Sequence, residues 1–337
     1  MKKNIIQNIY LLLISLAPLI AYSHHAFWSI YDGNNISIIE GTITNIMWKN
    51  PHAQLTIQTD EGDSWYIETN SISILSRMGV DNDLLSIGNK IAIAGNQKLN
   101  GDKAMWTDNI LLPDGREVIL RPGKPPYWKD SNLSSSEAWL SDGDIGGADQ
   151  GIFRVWSTRF NGPGRNMYLT DPPLTETALV KFKSYNALTD DPTANCNPKG
   201  MPAIMHQPYP VQFSQEEDKI YFHIEEYDLV RTIHMNKNIK SPGHSLLGHS
   251  LGSWDNGDLL VTTTDVDWHY LDSTGIPISD EATFRERFSL SEDGANLNYT
   301  LMTTDPVTFT EIVAQNKQWV WREGEVVKPY VCTNYDS

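Results

Sequence analysis

Apolar and polar positions alternate with a period of two along most of this chain, the pattern of strands that bury one face. In the first half the alternation predicts strands over residues 37–48, 54–59, 64–69, 90–95 and 105–112. Turn residues separate them at Asp60-Glu61-Gly62, Asn100-Gly101 and Asp114-Gly115, where glycine tolerates the backbone of a tight turn. Residues 71–78 break the alternation and read as a short helix that Ser73 helps to cap and Gly79 ends. Five strands with one helix after the third is the order of a small OB-like barrel.

The second half opens with the most helical stretch, residues 174–186. Leu174, Ala178, Leu179, Phe182 and Tyr185 fall on one stripe, Thr175 suits the N-cap, and Asp190-Asp191-Pro192 stops continuation. A strand is expected over residues 152–160. Alternation then returns over residues 211–214, 220–225, 229–235, 247–254, 258–264, 283–290, 296–303 and 312–321. Asp255-Asn256-Gly257 and Glu292-Asp293-Gly294 are hairpin turns. About eight strands at that spacing predict an antiparallel sandwich or a meandering, calycin-like barrel. The expected fold class is therefore all-β, with one or two short helices.

Residues 1–23 differ from the rest. Lys2 and Lys3 precede an apolar run centred on Leu11, Leu12, Leu13, Ile14 and Leu16, and Ala21 and Ser23 suit cleavage before His24. That is the pattern of a secretory leader. The run is interrupted by Gln7 and Asn8 and is short for a bilayer span of about 20 residues. The expected organisation is a signal peptide at 1–23, an OB-like domain at 24–120, a linker at 121–151 and an antiparallel barrel at 152–337. Pro122, Pro125, Pro126 and the Ser-, Asp- and Gly-rich residues 131–151 mark the linker. The expected compartment is the periplasm or the exterior, with no stable membrane insertion after cleavage.

Composition narrows the partners. A hydrophobic content of 40% sustains two cores, and the net charge is −16 before a leader carrying Lys2 and Lys3 is lost. So acidic a surface repels nucleic-acid phosphates and anionic lipid, which argues against both as partners. Eleven Trp and 14 Tyr fit core and edge packing, and would also suit an apolar or ring-shaped ligand. Cys196 and Cys332 are the two cysteines and form no CxxC pair. In an oxidising compartment they would join as a disulfide, closing a loop long enough to contribute about 4–5 kcal/mol. Oligomeric state leaves no trace in the sequence.

His24-His25-Ala26-Phe27 follows the leader directly, and a glycine-led strand from Gly41 ends in Trp48, Asn50, Pro51 and His52. Leu112-Pro113-Asp114-Gly115-Arg116 comes after these. Together they resemble a family of uncharacterised exported bacterial proteins. Further on stand Cys196-Asn197-Pro198, Gly200-Met201-Pro202, Pro208-Tyr209-Pro210, Arg231-Thr232-Ile233-His234-Met235, and Gly248-His249-Ser250 with Gly252 and Trp254. These resemble the β-rich domain that often follows in that family. The resemblance implies export and architecture, and no particular activity. Residues 131–151 depart from it.

Two kinds of chemistry are open to these residues. Cleavage before His24 would create a terminus whose amine and imidazole could chelate one metal, with His25 or His52 as a further nitrogen. Cleavage after Ala21 would instead leave an amine-x-x-His chelator, and nitrogen donors of either kind suit Cu(II). The second chemistry lies in the second barrel. Alternation puts Val230, Thr232 and His234 on one strand face and Leu229, Arg231, Ile233 and Met235 on the other, with His234 expected toward the interior. His249 lies in the next strand, and Glu226 and Asp228 precede the first. A histidine beside a carboxylate there would support acid–base chemistry near neutrality. Arg231 could equally form a cross-strand pair with Glu225. His244, His269, His206 and His223 have weaker cases. Phosphate loops, GxGxxG, HExxH and GxSxG are absent, which disfavours nucleotide, zinc-protease and serine-hydrolase chemistry.

The expected function is binding of a small apolar or aromatic molecule in the second barrel, with cofactor-free isomerisation or cyclisation as the conversion that His234, His249, Arg231 and Glu226 would allow. The alternative is a periplasmic copper protein that uses its N-terminal histidine.

Overall fold

The computed structural model describes Phe27 and residues 30–128, 133–135, 137–160, 167–187 and 189–332. The leader, His24 and His25 lie outside the described residues. The first-half alternation becomes β1 (Ser37–Met47), β2 (Gln54–Gln58), β3 (Ser64–Glu68), β4 (Lys90–Gln97), β5 (Ala104–Leu111) and the short β6 (Glu117–Ile119). β1 pairs antiparallel with β2 and β4, β2 with β3, and β4 with β5. A parallel β3–β5 pairing closes these five strands into a barrel, and β6 extends the sheet from β5. Helix α1 (Ile72–Arg77) follows the third strand. Ser71, rather than Ser73, is its N-cap and accepts from the Ile74 amide. The cap has to precede the first helical residue to face the free N–H groups. Ile43, Ile57, Ile67, Leu75, Ile93 and Ile110 fill the interior.

The second barrel comprises β7 (Val155–Thr158), β8 (Val211–Glu216), β9 (Lys219–Ile224), β10 (Leu229–His234), β11 (His249–Asp255), β12 (Asp258–Thr264), β13 (Thr283–Leu290), β14 (Asn296–Thr304) and β15 (Val313–Trp321). These nine strands close on themselves, so the larger unit is a barrel and not a sandwich. Every pairing is antiparallel except β10 with β11, which touch only at Ile233–Ser250 and His234–Leu251. Trp156, Phe213, Phe222, Phe288, Tyr299 and Trp319 fill the interior.

Beside them Arg231 is buried and forked onto Glu286, with further bonds to Ser250 Oγ at 3.0 Å and Thr263 Oγ1 at 2.6 Å. The expected face of β10 is therefore reversed. Arg231 and Ile233 point inward, Val230 is exposed, and His234 lies on the outer side. Alternation separates the two sets without saying which is inside, and a complete set of partners lets the guanidinium be the buried one. Glu225 is not the partner of Arg231.

Helix α3 (Glu176–Ser184), capped by Thr175, begins two residues later than its apolar stripe. Only Ala178 on that stripe is fully buried, and Leu179 is exposed. The stretch read as a linker is partly packed. The short α2 (Glu137–Leu140), labelled in chain order between β6 and β7, carries a buried Trp139 whose ring meets Phe160 edge-on at 4.9 Å. Leu133 donates its amide to Glu117, and the Ser134 hydroxyl bonds the Ile119 backbone.

After β15 the chain returns to the first barrel. Cys332 bridges to Cys196 across 136 residues, with Cα atoms 5.8 Å apart. Arg77 of α1 forks onto Glu225 with two bonds of 2.7 Å and reaches Glu325 at 3.0 Å. Tyr330 is buried with Tyr209 and Tyr227, each ring centroid 5.3 Å away, against the first barrel's core. No helix among the described residues is long and apolar enough to cross a membrane.

Candidate functional site

A filled barrel leaves room for a ligand only at its ends or on its surface. The connections from β7 to β8 and from β12 to β13 leave the second barrel at the same end. Between them lies a cavity of about 130 Å³ lined by Tyr168, Tyr185, Lys199, His206, Trp268, Tyr270 and Asp272, among others. Tyr185 follows α3 directly. His206 ends a short 3-10 turn, Ala203–His206, whose Ala203, Ile204 and Met205 are buried in the core that fills the barrel. The rings form two groups: Tyr168 lies 5.4 Å from His206, while Tyr185 lies 5.1 Å from Tyr270, which lies 6.5 Å from Trp268.

Two glycines permit this packing. A Cβ on Gly200 would stand 2.6 Å from Trp268 Cβ and 2.7 Å from the Leu246 carbonyl. Gly275 sits at φ +88, and a Cβ there would lie 2.2 Å from the Tyr185 ring.

The charges around the cleft are mostly matched. Lys199 donates to Glu226 at 2.8 Å. Behind the wall, the Lys317 ammonium donates to the Met205 and Gln207 carbonyls at 2.9 and 2.5 Å, and burial brings its pKa down to about 7. Burial, reinforced by Lys317 and Lys199, pushes His206 down to about 3, so its imidazole is neutral at physiological pH. Gln315 Nε2 donates to the Met167 carbonyl and lies 3.4 Å from His206 Nε2. An amide nitrogen only donates, so His206 Nε2 accepts and Nδ1 carries the ring proton. His206 Nδ1 and Trp268 Nε1 are both buried without a hydrogen-bond partner. The Tyr168 hydroxyl pairs with Ser273 Oγ at 3.1 Å, and burial raises its pKa.

The residues singled out from the sequence are distributed over several places. His234 and His249 do come together, with ring centroids 5.4 Å apart. They line an open groove of about 360 Å³ along the β10–β11 seam, outside the barrel. His249 Nε2 lies 3.2 Å from the Ile239 carbonyl, and burial together with the neighbouring His249 lowers the His234 pKa. The Arg231 guanidinium is committed to the core, and Glu226 sits with Lys199 at the barrel end.

On the first barrel, His52 Nδ1 bonds Glu68 Oε1, and the Tyr31 hydroxyl donates to Glu68 Oε2 at 2.5 Å. Burial alone would raise the Glu68 pKa; His52 and Tyr31 outweigh it and hold the carboxyl below its usual range. Trp106 meets His52 edge-on at 5.0 Å, Phe27 lies 5.8 Å from Trp106, and the Arg121 guanidinium sits 4.6 Å over Phe27. Among the described residues no group of three or more His, Cys, Asp or Glu is arranged to hold a metal.

Sequence reasoning ranked His206 low and passed over Trp268, Tyr270, Tyr185 and Tyr168. The available signals were Gly200 in Gly200-Met201-Pro202 and the Trp268-x-Tyr270 pair after β12.

Residues 12–106 are similar to a family of unknown function, DUF6152. A search of curated proteins found no match to the chain. The matched span takes in His24, His25, His52 and Glu68, and the barrel-end cleft lies beyond it.

Proposed function

We propose that this protein is exported to the periplasm or beyond and there binds a small ring-shaped molecule in the cleft at the end of its second barrel. The observation that carries the reading is the wall of Tyr168, Tyr185, Trp268 and Tyr270 around a cavity of about 130 Å³. That is a little below the roughly 150 Å³ of an apolar cavity that holds benzene, so the cleft is sized for a single ring at most. Export is supported by the leader pattern and by the disulfide, since such bonds persist in oxidising compartments. Binding without turnover is the better reading of the cleft. With a pKa of about 3, His206 is too weak a base to exchange protons usefully near neutrality.

Ligand-detected NMR of the purified leaderless chain with toluene and phenol tests this. Both ring compounds are expected to bind wild type and to lose binding in Thr193→Trp, which adds an indole to the cleft lining while the thermal midpoint is retained. Equal signals from wild type and variant would remove the cleft as the site.

A second reading concerns the first barrel. His52 has the arrangement of a metal-binding imidazole: a carboxylate holds Nδ1, so the ring is oriented with Nε2 as the other nitrogen. Phe27, two residues after His25, packs against Trp106, which packs against His52. Once a leader is removed before His24, its amine and imidazole with His52 would suit Cu(II). Copper titration followed by electron paramagnetic resonance should show one tight ion per chain, lost in His24→Ala and in His52→Ala. Identical binding in all three proteins rules the site out.

A further inference from the structure

We infer that the ligand of the barrel-end cleft is a neutral aromatic molecule that carries an oxygen acceptor, an aryl ketone, aldehyde or amide. The inference rests on the cleft reading above and names the chemistry of its ligand.

Two buried N–H groups in the cleft wall lack an acceptor: Trp268 Nε1 and His206 Nδ1. Folded proteins pair most such donors; Trp106, Trp139 and Trp319 Nε1 are also buried without a partner, and Trp268 and His206 are the ones whose residues line the cleft. Trp268 is 9% exposed, so its indole N–H is largely cut off from bulk water. The tautomer of His206 follows from Gln315, whose Nε2 can only donate to His206 Nε2. Both wall groups therefore offer hydrogens, and a hydrocarbon ring would leave both unanswered. A carbonyl oxygen, with two lone pairs, is an acceptor that either donor could use.

The charge pattern decides between a neutral acceptor and a carboxylate. Lys199, the cation in the wall, is already paired with Glu226. His206 stays uncharged, and Asp191 and Asp272 line the same cleft. A carboxylate ligand would meet two acidic side chains and no uncommitted cation, whereas a neutral carbonyl brings no charge for Asp191 and Asp272 to repel. The small volume limits the ligand to one ring, and the tyrosines and Trp268 supply flat faces for it.

The experiment compares three probes of similar shape on the leaderless full chain by ligand-detected NMR: acetophenone, its hydrocarbon isostere 2-phenylpropene, and benzoate. Acetophenone should bind wild type about tenfold more tightly than 2-phenylpropene, the effect of answering buried donors. Benzoate should bind more weakly than acetophenone. The ketone preference should shrink in Trp268→Phe and in His206→Phe, with thermal midpoints reporting that each variant folds.

Equal affinity for ketone and hydrocarbon in wild type, which needs no variant, overturns the acceptor inference and leaves the cleft reading standing. Benzoate as the tightest probe overturns the neutral class. A preference that survives in both variants also overturns the assignment. Failure of all three probes to bind removes the cleft reading, and this inference with it.

Discussion

The five-strand and nine-strand barrels of this chain fill their interiors by different means. The small barrel uses aliphatic side chains, chiefly Ile43, Ile57, Ile67, Ile93 and Ile110. The large one needs rings, with Phe213 and Phe222 at 4.5 Å and Phe288 and Tyr299 at 4.8 Å, and it also holds the Arg231–Glu286 pair. Barrel diameter grows with strand number, so the wider lumen needs larger side chains and can enclose a satisfied polar network. The width also explains where the cleft is. Loops, not strands, have to close the wide end, and their aromatic and polar residues leave the cleft there. What differs between the two units is thus the kind of side chain each diameter demands.

The strongest way to test how separate the barrels are is to cut what joins them. Replacing Cys196 and Cys332 together by Ser should lower the unfolding free energy by about 5 kcal/mol, the chain-entropy value for a loop this long. Urea titration under non-reducing conditions measures it, and a loss below about 1 kcal/mol would show that the bridge constrains little. Next in size is the polar network found only in the large barrel. Arg231→Met strands the Glu286 carboxylate in the core and should cost about 3–5 kcal/mol, whereas Arg231→Met with Glu286→Leu should come close to wild type. Equal losses in the single and double variants would mean that packing volume, and not charge, matters there.

Acid should also act on the large barrel through His206. Its folded pKa of about 3 lies below the ordinary 6.5, so the unfolded chain takes up the proton first as pH falls. This contribution is constant above about pH 6.5 and is lost progressively down to about pH 3. His206→Phe should remove that slope, narrowing its stability gap to wild type by about 2–3 kcal/mol between pH 6.5 and pH 4 in urea titrations. A gap that does not change with pH contradicts a buried neutral imidazole. The smallest effect belongs to the aliphatic core. Ile57→Val should lower stability by about 1 kcal/mol, the usual result of removing one buried methyl group. A much larger loss would show the small barrel to be the more tightly packed of the two.

Strands joined by short glycine turns were legible because period-two alternation and turn chemistry are local. β12 and β13 match their expected spans, residues 258–264 and 283–290. β6 has three residues, too few to show a period. The inward face of β10 was not legible, because what makes Arg231 an interior residue is Glu286, 55 positions away on β13. The cleft was hidden for the same reason: Tyr168, Tyr185 and His206 come from the long β7–β8 connection and Trp268 from the β12–β13 connection, and only the closed barrel brings the two together. The disulfide needed no such knowledge, since two cysteines allow one intramolecular pairing.

Tyr330 lies beyond the last strand of the second barrel, yet it is buried in the core of the first. The first barrel's core therefore depends on a segment that follows the second, and melting is expected to follow a single cooperative transition. Clipping the chain after β15 would spare every strand of the nine-membered barrel and expose the interior of its smaller neighbour, so damage at one terminus would surface in the unit encoded furthest from it.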